Sequence, residues 1–391
     1  MISKDHKKHA DIARPSLGFL GRNEWAFVGG QCSDIKSLAD KIINGLTPTY
    51  KCIYADAKHA KKNEEIILPE NFTKDIFAAY TNYQYYHQFN FSKSFTQFQF
   101  RQAFGEADLI LVNGNHFEAK SQIVIIDENK RASLQKRIAQ LTNVELILLA
   151  GNAGEIFDFI KEKISSINQI PVYKLSDTEK VIDFFKNKMQ QAKPLLNGLV
   201  LAGGKSVRMG FDKALINWHG KEQQYYLADL LSQICDDIFI SCTRDRNIDF
   251  SYKKIEDTFM DLGPFGAILS AFRENPDAAW LVVACDLPLL DLSTLNYLKE
   301  YRNVSSMATS FESPYNHFPE PLIAIWEPKS YPALLSFLSQ GYNCPGKALR
   351  NMDVTVLKIR NPGKLTNVNT KEDMEKVKQQ LQNTLQENNA Q

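Results

Sequence analysis

The chain lacks any run of about 18 consecutive apolar residues, so no stretch has the length of a membrane-spanning helix. It also lacks an excess of charge. Its 46 Lys and Arg face 45 Asp and Glu, leaving a formal net charge of +1. No global field draws it to nucleic acid or to a membrane surface, and any basic patch has to be local. There is no Cys-x-x-Cys pair. Cys32, Cys52, Cys235, Cys242, Cys285 and Cys344 stand apart, which argues against a zinc site. They read as buried thiols of a reducing compartment, the cytoplasm. Lys4, Lys7 and Lys8 precede no apolar core of signal-peptide length. No short-period repeat is present. What remains is ordinary globular composition, 44% hydrophobic and 23% charged, and 391 residues leave room for about two or three domains.

Short apolar runs alternate with helical patterns almost throughout. Trp25–Val28, Cys52–Ala55, Leu109–Val112, Ile123–Ile126 and Val144–Ala150 read as strands. Ile35–Asn44 and Ala153–Ile164 read as helices between them. A second series opens at Gly198 and includes strands at Asp237–Ser241, Ala279–Ala284 and Leu322–Trp326. Alternating β and α elements predict mostly parallel sheets with helices on both faces. A helical stretch, Thr178–Gln191, and then Ala192-Lys193-Pro194 separate the two series, so the boundary falls near residue 195. The Gln- and Asn-rich tail after about Lys376 is expected to end as a frayed helix or without fixed structure.

The segment Leu201–Ala214, LAGGKSVRMGFDKA, carries the most chemical information. A strand runs into Gly203 and Gly204, whose lack of Cβ lets backbone N–H groups approach an anion. Lys205, Arg208 and Lys213 then place three cations within nine residues. Asp212 stands beside Lys213, where it can orient that amine or neutralise it. Such a strand, glycine bend and basic loop suit a triphosphate. Farther on, Asp286 follows the apolar run Leu281–Ala284 and projects at a strand's C-terminal edge, where open α/β sheets bind ligands. Mg²⁺ prefers one or two carboxylates completed by phosphate oxygens and water. Asp also commonly opens a turn before a proline such as Pro288.

The Leu201–Ala214 run resembles the loop of nucleotidyltransferases, and most of all that of the molybdenum cofactor guanylyltransferase (MobA) family. Ile255-Glu256-Asp257, Gly263-Pro264-Phe265-Gly266-Ala267, Ala284-Cys285-Asp286-Leu287-Pro288 and Asn367-Val368-Asn369-Thr370 follow that family's pattern in order. The resemblance implies that Leu201, Ala202, Gly203, Gly204, Lys213, Ser241, Asp257 and Asp286 bind nucleotide. It implies that Arg208, Lys213 and Asp286 act in catalysis, with Mg²⁺ on Asp286. Ser241 stands where the family has an Asn, which leaves the base contact open. The implied reaction is GMP transfer from GTP to molybdopterin in the cytoplasm, with molybdoenzymes or other cofactor-biosynthesis proteins as partners, and without nucleic acid or membrane. A cytidylyltransferase for the same cofactor, another nucleotidyltransferase, and a nucleotide-binding scaffold for cofactor delivery are the alternatives. Arg244, Arg246, Lys347 and Arg350 could face the polyanionic acceptor or be solvated surface charges. His317, Pro319 and Pro321 lie where the family has a proline-led strand near the acceptor.

In the first half, Gly30–Ser37 fits G-x-x-x-x-G-K-[ST] except that Ile35 replaces the second glycine. A β-branched Ile resists the dihedrals of a phosphate-wrapping loop. Ala57-Lys58-His59-Ala60 and Asp108–Gly114 complete a resemblance to the MobB family, with Asn113 in place of an acidic residue. This implies a degenerate P-loop domain, residues 1–195, ahead of a Rossmann-like nucleotidyltransferase domain, residues 196–391. Each is expected to be an α/β, doubly wound, mostly parallel three-layer sheet. The aromatic stretch Tyr80–Phe104 has few accompanying cations (Lys93 and Arg101), which disfavours single-stranded nucleic acid. It is expected to be a buried or dimer-forming surface.

Overall fold

The computed structural model describes residues 11–57, 76–151, 153–203 and 212–389, with side chains to residue 383. Gly204, Lys205 and Arg208, together with Lys58, His59 and Ala60, lie outside the described residues. The chain divides into two compact units. One is Leu17–Ala192; the other is Lys193–Gln391, which the described residues up to Ser16 join. Ser16 belongs there because its N–H donates to both carboxylate oxygens of Asp277, at 3.0 and 2.9 Å.

The first unit runs β1 (Glu24–Val28), α1 (Cys32–Leu46), β2 (Cys52–Ala55), β3 (Ala78–Asn82), β4 (His87–Phe91), α2 (Gln97–Ala103), β5 (Leu109–Asn113), β6 (Ser121–Ile126), α3 (Arg131–Lys136), β7 (Val144–Leu149), α4 (Asp158–Lys163), β8 (Val172–Lys174) and α5 (Thr178–Gln191). Six of its strands form one sheet in the order β2-β5-β1-β6-β7-β8, every pair parallel. Alternate residues of β1 point to opposite faces. Trp25 and Phe27 join a core with Ile35, Ile42 and Phe185, whereas Ala26 and Val28 join another with Ile110, Val112 and Ile160. Two cores on one sheet mean helices on both faces, which is why β1, β5 and β6 are buried throughout.

One local expectation fails here, and of a second only the buried alternative does. The helix expected over Ala153–Ile164 is only Asp158–Lys163. Phe157, 4% exposed, is fixed in the core ahead of it with extended backbone, under the Arg131 guanidinium. The aromatic stretch is not buried as a whole. Tyr80, Tyr85 and Phe89, on and between the paired strands β3 and β4, are 51%, 89% and 62% exposed, while Phe100 and Phe104 pack against the core.

The second unit runs β9 (Leu196–Leu201), α6 (Gln223–Ser232), β10 (Asp237–Cys242), β11 (Lys253–Glu256), α7 (Pro264–Glu274), β12 (Ala279–Ala284), α8 (Leu292–Glu300), β13 (Ala308–Glu312), β14 (Pro319–Trp326), α9 (Ser330–Ser339), α10 (Pro345–Arg350), β15 (Val354–Leu357) and α11 (Lys371–Asn389). Its sheet order is β11-β10-β9-β12-β14-β13-β15, parallel except that β14 opposes both β12 and β13. Cores on its two faces are built around Val200, Leu227 and Leu281, and around Leu199, Phe272 and Trp280. The Gln-rich tail is helical as α11 and packs through Val377 on Val368 and Trp218.

All six cysteines are free thiols, but Cys32 and Cys344 are exposed rather than buried. Cys32 opens α1 and Cys344 precedes α10, so both sit at helix starts on the surface. Burial pushes the Cys52 thiol up to about 11 and that of Cys235 to about 12. Among the described residues no helix is long and apolar enough to cross a membrane.

One ion pair is sealed in the second unit. Arg302 reaches Glu327 through two hydrogen bonds, at 2.7 and 2.9 Å, and also donates to the Pro194 carbonyl. The two side chains are 4% and 1% exposed. Removing one partner strands the other charge in a low dielectric. Glu327→Ala should therefore cost about 3–5 kcal/mol of unfolding free energy. Guanidinium unfolding checks this: the midpoint should fall at constant slope, and an unchanged midpoint would contradict it.

Candidate functional site

Register brings the candidate residues to one edge. Leu201 at the end of β9 pairs with Ser241 of β10 on one side and Ala284 of β12 on the other. Cys242 pairs with Glu256 of β11. The residues that follow these strands, Ala202-Gly203, Asp257 and Asp286, therefore leave the sheet at its C-terminal edge. Successive strands run outward from β9 through β10 to β11, and the chain then returns to place β12 on β9's other side. The site lies at this reversal, where open α/β sheets take their ligands.

The glycine bend is built against Asp257. A Cβ on Gly203 would stand 3.5 Å from the Asp257 carboxylate, so backbone and carboxylate are close. Ala202 N–H donates to the Ser241 carbonyl and Asp257 N–H to the Cys242 carbonyl, each at 3.0 Å. Ser241 is 1% exposed and its hydroxyl donates to Asp257 Oδ1 at 2.6 Å. Its side chain thus serves Asp257 directly. Burial pushes the Asp257 carboxyl above the ordinary aspartate range, and the Ser241 hydroxyl draws it back. Behind Asp257, Gly263 takes φ +56° at the start of α7, and a Cβ on Gly266 would collide with the Phe259 carbonyl at 2.2 Å. The G-P-x-G spacing of Gly263 and Gly266 thus packs α7 onto the loop that follows Asp257. Gly263 contributes no side-chain cap to α7.

Lys213 and Asp286 come together from sequence positions far apart. Lys213 Nζ lies 3.9 Å from Asp286 Oδ2 and donates to Asn369 Oδ1 at 2.7 Å. Val368 N–H donates to the Asp286 carbonyl at 2.9 Å, which is what carries Asn369 to the lysine. Thr370 and Asp373 cap the first turn of α11 with reciprocal hydrogen bonds and fix that segment. On the other side His219 Nε2 donates to the Pro288 carbonyl and Gln223 Nε2 to the Leu287 carbonyl. Burial raises the Asp286 carboxyl, and Lys213 opposes the shift. Its side chain keeps 24% exposure, an opening on one side of a crowded recess.

Asp212 acts on the turn that carries Lys213 rather than on its amine. One of its oxygens caps the turn Lys213–Leu215 by accepting from Ala214 N–H at 2.9 Å, and the other accepts from Arg246 at 2.6 Å. Arg246, read from the sequence as a surface or acceptor-facing cation, is 14% exposed and held by protein groups. Asn369 lies inside the Asn367–Thr370 motif, but nothing in the sequence distinguishes it there as the partner of Lys213. For Arg246 no local signal points to this role, and for its partner Gln224 there is none at all.

Beyond Asp286 the surface forms two adjoining recesses that share Glu320 and Pro321. The nearer, of about 80 Å³, is lined by Asp286 and Asn367. The farther, of about 280 Å³, runs past Phe318 and Pro319 to Arg350. Arg350 lies over the Phe318 ring, 4.6 Å from its centroid. His317 is in the loop before this strand, 79% exposed, with Nδ1 donating to Glu312.

As a metal holder, Asp286 offers one carboxylate, with Lys213 beyond hydrogen-bond distance of it. Among the described residues no group of three His, Cys, Asp or Glu could hold a metal ion by itself. This donor set suits an ion that arrives with the oxygens of a phosphate ligand.

The corresponding edge of the first unit is arranged differently. Gly29 takes φ +102°, but α1 already starts at Cys32, and the Asp34 and Ile35 N–H groups both donate to the Gln31 carbonyl. Ile35 is fully buried in the core. Asn113, also buried, donates to Asp56 at 2.9 Å and accepts from Asn115 N–H.

The family described as MobA-like NTP transferase domain matches residues 198–353. A Synechocystis sp. molybdenum cofactor biosynthesis bifunctional protein is 32% identical over 241 residues, covering 59% of this chain and 67% of that protein. That span exceeds the second unit, so part of it falls in the first. A Pseudomonas fluorescens molybdenum cofactor guanylyltransferase is 32% identical over 179 residues, 44% of this chain and 89% of that protein. Among solved structures, a molybdopterin-guanine dinucleotide biosynthesis protein A from Archaeoglobus fulgidus is 21% identical, with TM-score 0.41, covering 47% of this chain and 97% of that one.

The Ser241–Asp257 contact makes a measurable prediction. Ser241→Ala removes a hydrogen bond to a carboxylate and should cost about 1.5–3 kcal/mol near neutral pH. The hydroxyl favours the charged form, so its loss should raise the Asp257 carboxyl further. The stability difference should be full where Asp257 is ionised and shrink as pH falls through the carboxyl's raised range. Unfolding across pH, with the Asp257 carboxyl carbon followed by NMR, checks both; an unmoved titration would contradict the contact.

Proposed function

The chain belongs to the molybdenum cofactor guanylyltransferase family, and from that membership we propose that it transfers GMP from GTP to the terminal phosphate of molybdopterin. It is a nucleotidyltransferase of molybdenum cofactor biosynthesis; the choice of GTP and of this acceptor is our reading. An oxygen of the acceptor phosphate attacks the α-phosphorus, the bond to the β-phosphate oxygen breaks, and pyrophosphate leaves. No covalent enzyme intermediate is required, so the protein's part is positioning and charge stabilisation. The observation that carries the reading is the approach of Lys213 Nζ to Asp286 Oδ2, 3.9 Å, at the sheet's reversal point.

Leu201, Ala202, Gly203 and Gly204 would lie along the nucleotide, with Asp257 facing it and Ser241 holding Asp257. Lys213 would neutralise the polyphosphate, joined by Arg208 from the glycine-rich stretch. Asp286 is the residue to hold Mg²⁺, which when bound supplies charge neutralisation across the phosphate oxygens. The recess running from Asp286 past Pro321 and Phe318 to Arg350 would take the acceptor, with an aromatic face and a cation suited to an anionic pterin. Transfer of CMP from CTP is the second reading, because Ser241 is committed to Asp257 and leaves base choice to backbone contacts.

The first unit resembles MobB, and we read it as not hydrolysing nucleotide. The N–H groups of Asp34 and Ile35 are already committed to α1, where a phosphate cradle would need them free. Its role on this reading is to dock partners or deliver cofactor.

Mass spectrometry of the pterin product after incubation with Mg²⁺ and GTP or CTP tests the transfer. A guanine dinucleotide is expected, and a product formed only from CTP would replace this reading with the second. Asp286→Ala should give no detectable product, and Lys213→Ala should lower kcat about 100- to 1000-fold. Near-normal turnover in Asp286→Ala would remove the metal assignment. Lys36→Ala should leave both GTP affinity and turnover unchanged; a large loss would restore the first unit as a working nucleotide site.

A further inference from the structure

Arg246 lies in the loop that follows β10, and its guanidinium reaches three separate segments at once. Nη1 donates to the Ala202 carbonyl at 2.6 Å and to Asp212 Oδ2 at 2.6 Å, and Nη2 donates to Gln224 Oε1 at 3.1 Å. Ala202 is the residue before Gly203, and Asp212 is the residue before Lys213. One planar cation therefore joins the start and the return of the glycine-rich stretch. Gln224 is 1% exposed on α6 and donates to Glu222 Oε2, so the third anchor is itself fixed. The other Asp212 oxygen caps the turn that carries Lys213.

We propose that Arg246 is a positioning residue, which pins the two ends of the glycine-rich stretch together and, through Asp212, sets Lys213 against Asp286. The proposal rests on the reading that this stretch holds a nucleoside triphosphate. It assigns Arg246 to nucleotide binding, and it removes it from the acceptor-facing cations. A guanidinium is suited to this because its donors lie in a fixed planar fork. A lysine amine has one nitrogen and cannot span Ala202, Asp212 and Gln224 in that geometry.

The test uses the full chain and four variants: Arg246→Met, Arg246→Lys, Asp212→Asn and the double variant Arg246→Met/Asp212→Asn. The measurements are calorimetric affinity for Mg²⁺·GTP and Mg²⁺·CTP, KM for the pterin acceptor, and thermal melting. Each single variant is expected to weaken the preferred triphosphate by tenfold or more, with acceptor KM within twofold of the unsubstituted chain. Arg246→Lys should not rescue. The double variant should bind no more weakly than Arg246→Met alone, because both changes break one contact. Unchanged triphosphate affinity in Arg246→Met, full rescue by lysine, or losses that multiply in the double variant would each overturn the proposal. Multiplying losses would mean that Arg246 and Asp212 act separately, for instance by direct phosphate contact. Should Arg246→Met not fold, Asp212→Asn decides, since it keeps the guanidinium anchored on Ala202 and Gln224. If the unsubstituted chain binds neither triphosphate, the nucleotidyltransferase reading falls and the proposal with it. If it binds but the variants bind equally well, only the role of Arg246 falls.

Discussion

The second unit is organised by the burial of β9. This strand has parallel partners on both edges and a hydrophobic core on each face, so its register cannot slip by one residue without turning every side chain to the wrong core. With register held, Leu201, Ser241 and Ala284 end at one level. The polar residues just past them have nowhere to go except a shared edge. Gly198 contributes to this at mid-strand: a Cβ there would press on Leu231 of α6 at 3.1 Å. Helix α6 can therefore lie close to the sheet and bring Gln223 and Gln224 to the Leu287 carbonyl and to Arg246.

Charge at that edge alternates along a chain of contacts. Arg246 meets Asp212, Asp212 caps the turn of Lys213, and Lys213 lies between Asn369 and Asp286. The first contact is short and part-buried, whereas the last is a loose 3.9 Å approach. The tight pair holds shape; the loose pair leaves the amine and the carboxylate free to take new partners. A polyphosphate with its cation would satisfy both, the amine meeting phosphate oxygens and the carboxylate meeting the ion. Burial that raises the carboxyl of Asp286 in the free protein is a measure of how poorly its charge is matched before such a ligand arrives.

Much of this was legible in the sequence where one physical requirement dominated. Ala279–Ala284 and Thr178–Gln191 have the bounds read from pattern alone, because a doubly buried strand admits only apolar residues and an amphipathic helix repeats its face. Asp286 was legible because it breaks such a run at its end. Arg246 was not, since its three acceptors lie 44, 34 and 22 positions away and no local pattern announces them. Adjacency suggests Asp212 as the companion of Lys213, but adjacent side chains diverge, and its oxygens go to a turn and to a distant guanidinium. The exposed Cys32 and Cys344 show the same weakness: a thiol's burial is decided by which helix start it occupies, which composition does not report.

The first unit displays the opposite outcome of a competition between helix and loop. A phosphate cradle needs several consecutive N–H groups left free after a strand, while a helix satisfies those same groups with carbonyls three and four residues back. After β1 the helix wins early. Ile35 at the would-be second glycine position is wholly buried and adds apolar area to the core beneath α1, so it favours continuing the helix through the cradle. Asp34 in the first turn then complements the helix dipole and places a negative charge where a phosphate would sit. Asn113 and Asp56 bond to each other across the strand ends, which leaves Asn113 as a neutral amide engaged with protein. Substituting glycine at Ile35 alone would therefore not recover a cradle, because the acidic first turn and the helix's early start would both persist.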